Sequence, residues 1–186
     1  MKYKPYVELH CKNVKEISNE IYNFLRDHTD VLASNLFGWK FLNSKELLAS
    51  SSSLKKFFTE RKLYVRDSAI TLIDKDFPLH IDPLPVIAKI NFPVINTDGW
   101  TNCWYDIADK DFSQLPTYTT EFGHITEDVS KVSTDKLSLA AELKDMKMPI
   151  VFNSRMAHSV IKNNPLVLPR IIASFTFNNE PLDLLK

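Results

Sequence analysis

The sequence predicts an α+β fold in which helices come first and an antiparallel β sandwich or barrel follows, with the helices packed on one sheet. Three observations support this: helical periodicity in the first third of the chain, short β-forming runs punctuated by proline after it, and regular alternation in the last run. A chain of 186 residues, 44% hydrophobic and 25% charged, fits a single globular domain. We expect residues 1–62 to be mainly helical support and residues 63–178 to form the β core.

Two helical segments are predicted near the N terminus, at residues 14–32 and 44–62. The first carries apolar residues at helical spacing: Ile17, Ile21, Phe24 and Leu25. The second opens on Ser44 as a candidate cap and can break at the run of serines 50–53. Both helices therefore have an apolar side that needs a partner.

Strand-forming sequence begins near residue 63 and runs to about residue 107, interrupted by several prolines. A long insertion follows, with weak helical character at residues 136–143, and further strands are predicted at 149–161 and 170–177. In the last strand one face is apolar: Ile171, Ala173, Phe175 and Phe177. The other face is mostly polar: Arg170, Ile172, Ser174 and Thr176. This alternation predicts helices against the first face and a cavity against the second.

The bulk charge and cysteine content exclude several classes of protein. Lys and Arg balance Asp and Glu at 23 each, so we expect no nucleic-acid partner. Two cysteines form no disulfide framework, and the start of the chain lacks the apolar segment of a secretory signal, so a cytoplasmic location is expected. No apolar run reaches the length of a membrane span, and three glycines form no phosphate-binding loop.

One short segment, "LHIDPLP", carries a candidate metal-binding pair, His80 and Asp82. On an extended strand, residues two apart point to the same side and can share one ion. Pro83 favours an extended conformation at Asp82. The pair alone is weak, because the same spacing arises by chance, and a strand-end histidine beside a surface aspartate is the simpler interpretation.

A second histidine strengthens the metal hypothesis. His158, in "AHSV", lies on a late predicted strand, and Arg170 opens the final strand after a turn-rich connection. Two strands joined by such a turn can pair antiparallel, which would place His158 and Arg170 in one cavity. Two histidines and one carboxylate on one side of an ion are the ligand set of non-haem Fe(II) oxygenases, and arginine offers a planar fork for a carboxylate.

In the order "LHIDPLP", "AHSV", "PRIIASF", the sequence resembles the 2-oxoglutarate- and Fe(II)-dependent dioxygenases over residues 64–177. The resemblance implies a double-stranded β-helix (jelly-roll, cupin-like) core. It implies His80, Asp82 and His158 as catalytic metal ligands, with Fe(II) as cofactor, 2-oxoglutarate as co-substrate and O₂ as reactant. It also implies that Arg170 binds the far carboxylate of 2-oxoglutarate. Some members have Arg-x-Ser at this position; here Ile172 replaces the serine, and Ser174 is a partial substitute.

Two further residues are candidates for binding the co-substrate. Asn91 lies with Lys89 on a strand of alternating polar and apolar residues, for which a solvent-facing edge is the simpler interpretation. Tyr105 could offer its hydroxyl to a carboxylate, although aromatic residues in sheets usually pack in cores. Asn153 and Arg155 are expected to point away from the metal. The substrate, a small molecule or a peptidyl side chain, stays open, as does the oligomeric state.

Two other functions compete with the oxygenase. A cupin-like metal enzyme would use the same fold without 2-oxoglutarate, but such sites usually hold more histidines than this region offers. A non-enzymatic β-sandwich binding module would leave the His80–Asp82 pair incidental, and it predicts neither metal uptake nor a cavity.

Overall fold

The computed structural model describes residues 3–28, 38–108, 115–121 and 125–186, apart from the side chain of Lys131. Three helices occur in these ranges: α1 (Val14–Asp27), α2 (Ser44–Ser50) and α3 (Ser52–Glu60). The strands there are β1 (Tyr6–Glu8), β2 (Gly38–Leu42), β3 (Val65–Ile73), β4 (Phe77–His80), β5 (Ala88–Ile95), β6 (Trp100–Ile107), β7 (Thr117–Thr119), β8 (Ile125–Glu127), β9 (Leu137–Lys144), β10 (Ile150–Asn153), β11 (Ala157–Lys162) and β12 (Arg170–Phe177). Short 3-10 turns follow β8 and β12.

The strands form two facing antiparallel sheets and a small hairpin. The first sheet has the order β1-β10-β5-β12-β3-β2, the second has the order β4-β11-β6-β9, and β7 pairs with β8. Apolar side chains from both sheets meet between them: the Phe152 ring of the first sheet lies 6.3 Å from the Trp104 ring of the second. Because β1 and β2 belong to the first sheet, the N-terminal 62 residues supply strands as well as helices.

The helices cover the outer face of the six-stranded sheet. The apolar side of α1 and the phenylalanines of α3 pack on Phe92, Phe175 and Phe177, the outward residues of β5 and β12. Phe58 of α3 is buried, and its ring meets three phenylalanines of the sheet edge to face at 5.0–5.8 Å. Full burial of one such ring contributes about 1.5–3 kcal/mol. The apolar face predicted for β12 is therefore covered by helices, as expected.

The predicted helix at residues 44–62 is two helices with a break at the serine run. Asn43, rather than Ser44, caps α2 by accepting hydrogen bonds from Lys45 N and Glu46 N. Ser51 ends α2 in an extended conformation, and its hydroxyl caps α3 by accepting from Leu54 N. Serine at such positions satisfies backbone groups that a helix end leaves open.

Two sequence-based predictions of local structure are wrong. The segment predicted to be helical at 136–143 is a strand from residue 137 onward: β9 pairs there with β6, because its leucines alternate with the period of a strand and the pairing overrides helix propensity. Residues 149–161 are not one strand: β10 and β11 belong to different sheets. A turn separates them, in which Met156 N donates to Asn153 O at 3.2 Å.

The longest helix in the described part of the chain, α1, has 14 residues, and no helix there has the length and apolar character that crossing a bilayer needs.

Candidate metal centre

His80, Asp82 and His158 lie together between the two sheets. His80 ends β4, and its cross-strand partner on β11 is His158. Asp82 lies two residues beyond the end of β4, and its backbone N–H donates to Ser154 O at 3.1 Å. One ligand atom from each of the three side chains lies within 4.8 Å of the others, and all three side chains are largely buried. The structure thus brings the three sequence-predicted ligands to a common point.

Both histidines are oriented by the backbone in the same way. His80 Nδ1 lies 2.8 Å from Pro78 O, and His158 Nδ1 lies 2.8 Å from Met156 O. Because a carbonyl can only accept, each Nδ1 carries the proton and each Nε2 keeps its lone pair for a metal. Burial lowers the pKa of His158, partly opposed by the nearby Asp82 carboxylate, so its imidazole is neutral at pH 7.

The two oxygens of the Asp82 carboxylate face different partners. Oδ2 lies 3.8 Å from His158 Nε2, while Oδ1 lies 2.8 Å from the ammonium of Lys89 on β5. Both members of this ion pair are buried, Lys89 at 11% and Asp82 at 2% side-chain exposure. The pair therefore spans from the end of β4 to the opposite sheet, and it leaves Oδ2 directed toward the histidines.

Arg155 fixes the backbone at Asp82. Its Nη1 donates to the Asp82 carbonyl oxygen, and its guanidinium binds the Glu127 carboxylate through Nη1 and through Nη2, the latter at 3.0 Å. Glu127 N in turn donates to Ile81 O at 2.8 Å. Asn153 ends β10 and Arg155 lies in the following turn, so neither lies on the strand of His158. Arg155 is an ion-pair partner of Glu127.

Arg170 faces the metal centre from the other sheet. It opens β12, it is 1% exposed, and its Nη2 donates to Asn102 Oδ1 at 2.9 Å. Among the described residues its Nε and Nη1 find no acceptor. Burial lowers the pKa of Arg170 to about 10. A buried cation with two free N–H groups fits an anionic ligand.

The predicted pairing of the His158 and Arg170 strands is wrong. β11 belongs to the four-stranded sheet and pairs with β4 and β6, whereas β12 pairs with β3 and β5 in the six-stranded sheet. The two residues share a cavity because the sheets face each other. A turn-rich connection can cross between sheets as well as form a hairpin, and sequence does not distinguish the two.

One cavity joins these groups. Asn91 and Ser174, both candidates for binding the co-substrate, line it, and Asn91 Oδ1 has no hydrogen-bond partner among the described residues. Tyr105 does not line it. Its neighbour Trp104 pairs with His158 and points inward, so Tyr105 points to the opposite face, where it packs near Ile81.

Sequence reasoning missed two participants. Asn102 alternates with inward-pointing Trp104 on β6, so parity could have found it once the register was known. Lys89, considered with Asn91 on β5, lines the cavity rather than a solvent-facing edge. Glu127 gave no signal, because its contact with Arg155 joins distant segments.

The donor set fits a divalent transition metal. Two neutral imidazoles and one carboxylate, converging from a single side, are the set that non-haem iron sites use, with the remaining positions left open. In the described part of the chain no other group of histidine, cysteine or carboxylate side chains comes together in this way.

No family model matches the chain, and no curated protein is similar in sequence. Solved structures are similar in fold. The non-heme alpha ketoglutarate dependent carbocyclase SnoK, from nogalamycin biosynthesis, has a TM-score of 0.56 at 11% identity over 97% of this chain and 85% of its own. A Pseudomonas putida prolyl-4-hydroxylase has a TM-score of 0.50 at 10% identity over 95% and 94%. The epimerase SnoN, in complex with Fe³⁺ and alpha ketoglutarate, has a TM-score of 0.50 at 12% identity over 93% and 78%.

These similarities confirm the predicted fold class, α+β with a double-stranded β-helix core, and they show that it is the fold of non-haem iron and 2-oxoglutarate enzymes. At this level of identity the comparison concerns the fold.

Proposed function

We propose that the protein is a 2-oxoglutarate- and Fe(II)-dependent oxygenase that hydroxylates its substrate. One observation supports this most strongly: the cavity that holds His80, Asp82 and His158 also holds a buried Arg170. The Nε and Nη1 of this arginine have no hydrogen-bond acceptor among the described residues. The first group fits iron, and the second fits a carboxylate.

The metal ligands are proposed to be His80 Nε2, His158 Nε2 and one Asp82 oxygen. When bound, Fe(II) supplies the activation of O₂, coupled to the conversion of 2-oxoglutarate into succinate and CO₂ and to insertion of one oxygen atom into a substrate C–H bond. The protein's share is to hold the ligands in place through Pro78 O, Met156 O and the Arg155 contact to Asp82. It also keeps water away from the site, because apolar walls such as Phe152 line the cavity.

2-Oxoglutarate is proposed to bind through its far carboxylate to Arg170 Nε and Nη1. Asn102 holds the third nitrogen at 2.9 Å and so fixes the plane of the guanidinium. Asn91 and Ser174 line the same cavity and would offer further hydrogen bonds. Tyr105 has no part in this proposal, because its side chain lies on the other face of β6.

The competing functions find less support. A cupin-like metal enzyme without 2-oxoglutarate leaves the open donors of Arg170 unused, and His80 and His158 are the histidines that line the cavity. A non-enzymatic sandwich predicts a filled interior between the sheets, where the structure has a cavity lined by His80, His158 and Arg170.

The decisive experiment adds Fe(II) and 2-oxoglutarate to the protein without oxygen. We expect a weak visible charge-transfer band, and slow succinate release after oxygen is admitted, even without substrate. His158→Ala should lose both signals. His10→Ala, which removes a histidine outside the cavity, should keep both. Absence of both signals from the folded wild-type protein would refute the proposal.

A further inference from the structure

A second cavity adjoins the metal cavity and opens outward. This outer cleft has walls from β2, β3 and the segments around Pro83 and Ile125. Lys89, Ser174 and Trp39 line both spaces, so the two adjoin at these residues.

The inward residues of β12 give the order of the sites along one line. Arg170 lies at the inner end, Ser174 borders both cavities, and Thr176 lies in the outer cleft. A strand rises about 3.3 Å per residue, so Thr176 is about 20 Å from Arg170 along β12. The outer cleft and the proposed 2-oxoglutarate site therefore lie on opposite sides of Ser174. A substrate in the outer cleft would reach the metal from the side away from 2-oxoglutarate.

The walls of the outer cleft are mostly apolar. Trp39 and Phe41 point the same way on β2, with ring centroids 4.3 Å apart in an edge-to-face arrangement. Phe41 is 68% exposed and Ile125 is 56% exposed, although both line a concave surface. Exposed apolar groups gathered around a cleft commonly mark a binding site, and aromatic rings at its mouth suit a flat apolar ligand.

The charges of the outer cleft compensate one another. Arg66 Nε lies 2.8 Å from Asp67 Oδ2, and the same oxygen accepts from the Thr176 hydroxyl at 3.0 Å. Lys89 is paired with Asp82. Every charged side chain that the structure describes in the lining thus has a partner, and a charged ligand would lose water without gaining a counter-ion.

We infer that the substrate is an uncharged, largely apolar small molecule with a ring that packs on Trp39 and Phe41. This inference rests on the proposed function for the site, and it narrows the substrate class: free amino acids, nucleotides and charged peptide side chains do not match the neutral, aromatic-walled cleft.

Binding of 2-naphthol and 2-naphthoate to the metal-free protein tests the inference by calorimetry near neutral pH. The two probes share one ring system and differ in charge. We expect 2-naphthol to bind at least about tenfold more tightly, since the charged probe must be desolvated. Equal binding, tighter binding of 2-naphthoate, or no binding of 2-naphthol would overturn the inference. So would tighter binding of a blocked peptide, acetyl-Ala-Ala-Ala-amide.

Two variants locate the binding in the cleft. Phe41→Ala should weaken 2-naphthol binding about tenfold, whereas Tyr64→Ala, a matched aromatic at 66% exposure outside the cleft lining, should leave it unchanged. Asp67→Asn leaves Arg66 without its carboxylate, so it should tighten 2-naphthoate binding about tenfold and leave 2-naphthol unchanged. Equal effects of Phe41→Ala and Tyr64→Ala, or no gain for 2-naphthoate in Asp67→Asn, would contradict the assignment.

The outcome is separable from the test of the oxygenase itself. Binding of 2-naphthol without any succinate release from Fe(II)-loaded protein would retain the ligand class and refute the proposed activity. Succinate release without 2-naphthol binding would retain the proposed activity and refute the ligand class.

Discussion

Arg170→Met tests whether the buried guanidinium exists for a ligand or for the fold. Methionine fills much of the same volume without a charge. In the metal-free protein Arg170 is 1% exposed and its Nη2 donates to Asn102, while Nε and Nη1 find no acceptor among the described residues. The two explanations predict opposite changes in stability.

The magnitude follows from the desolvation of the guanidinium. The lowering of the Arg170 pKa from its usual value to about 10 corresponds to about 3 kcal/mol of unfavourable free energy for the charged form in the folded protein. Loss of the Asn102 hydrogen bond offsets about 1 kcal/mol of the gain. Metal-free Arg170→Met should therefore be about 2 kcal/mol more stable than wild type, with a Tm roughly 4–8 °C higher. Thermal unfolding by circular dichroism measures this.

Affinity for 2-oxoglutarate should change in the opposite direction. Two charge-assisted hydrogen bonds to a carboxylate contribute about 1.5–3 kcal/mol each, so their loss should weaken binding at least about 100-fold. Calorimetric titration with 2-oxoglutarate in the presence of Mn(II), a stand-in that resists oxidation, measures the change. Affinity for Mn(II) alone should stay within about threefold of wild type, because Arg170 is not a metal ligand.

A matched control and two outcomes make the test decisive. Arg26→Met removes a guanidinium that is 62% exposed on α1, and it should alter neither quantity. If Arg170→Met destabilises the metal-free protein and leaves 2-oxoglutarate binding unchanged, Arg170 serves the fold. If metal and 2-oxoglutarate affinities fall together, the separate roles assigned to the two sheets are wrong.

Three further substitutions probe the metal centre. Lys89→Met leaves the buried Asp82 carboxylate without its ammonium, so it should lower the stability of the metal-free protein by about 3 kcal/mol, and Mn(II) should raise the Tm more than in wild type; a smaller rise contradicts this. Arg155→Met releases Glu127 and the Asp82 carbonyl and should weaken Mn(II) binding about 10–100-fold in a paramagnetic-resonance titration; unchanged affinity would show that the contact does not orient the ligand. Burial lowers the pKa of His158, so below pH 6.5 the unfolded chain binds a proton that the folded chain excludes. The free energy of unfolding of the metal-free protein should therefore fall as the pH falls from about 6.5 toward the lowered folded pKa, and it should fall less in His158→Asn. Urea unfolding at several pH values in this range measures the fall, and equal slopes for the two proteins would refute the prediction.

The local sequence pattern was sufficient to predict which face of a strand is covered and which lines the cavity. The alternation in β12 predicted both its covered face, with Phe175 and Phe177, and its cavity face, with Arg170 and Ser174. A strand periodicity of two does not depend on which strand lies beside it.

Features that depend on strand pairing were not available from the sequence. The side to which Tyr105 points follows from the register of β6 against β11, and a shift by one residue would exchange it with Trp104. The contact between Arg155 and Glu127 joins segments 28 residues apart and carries no periodic signal. In the long insertion after residue 107, positions 109–114 and 122–124 lie outside the described residues.

The two sheets divide the proposed chemistry between them. His80 and His158 come from the four-stranded sheet, whereas Arg170 and Lys89 come from the six-stranded sheet. The separation between a metal and a co-substrate carboxylate is then set by the packing of the sheets, about 10 Å apart face to face. Phe152, 5.3 Å from the His158 ring, fills part of that space. The rigid apolar packing between the sheets thereby sets the distance between the metal and the co-substrate carboxylate, because close-packed side chains resist compression more than loops do.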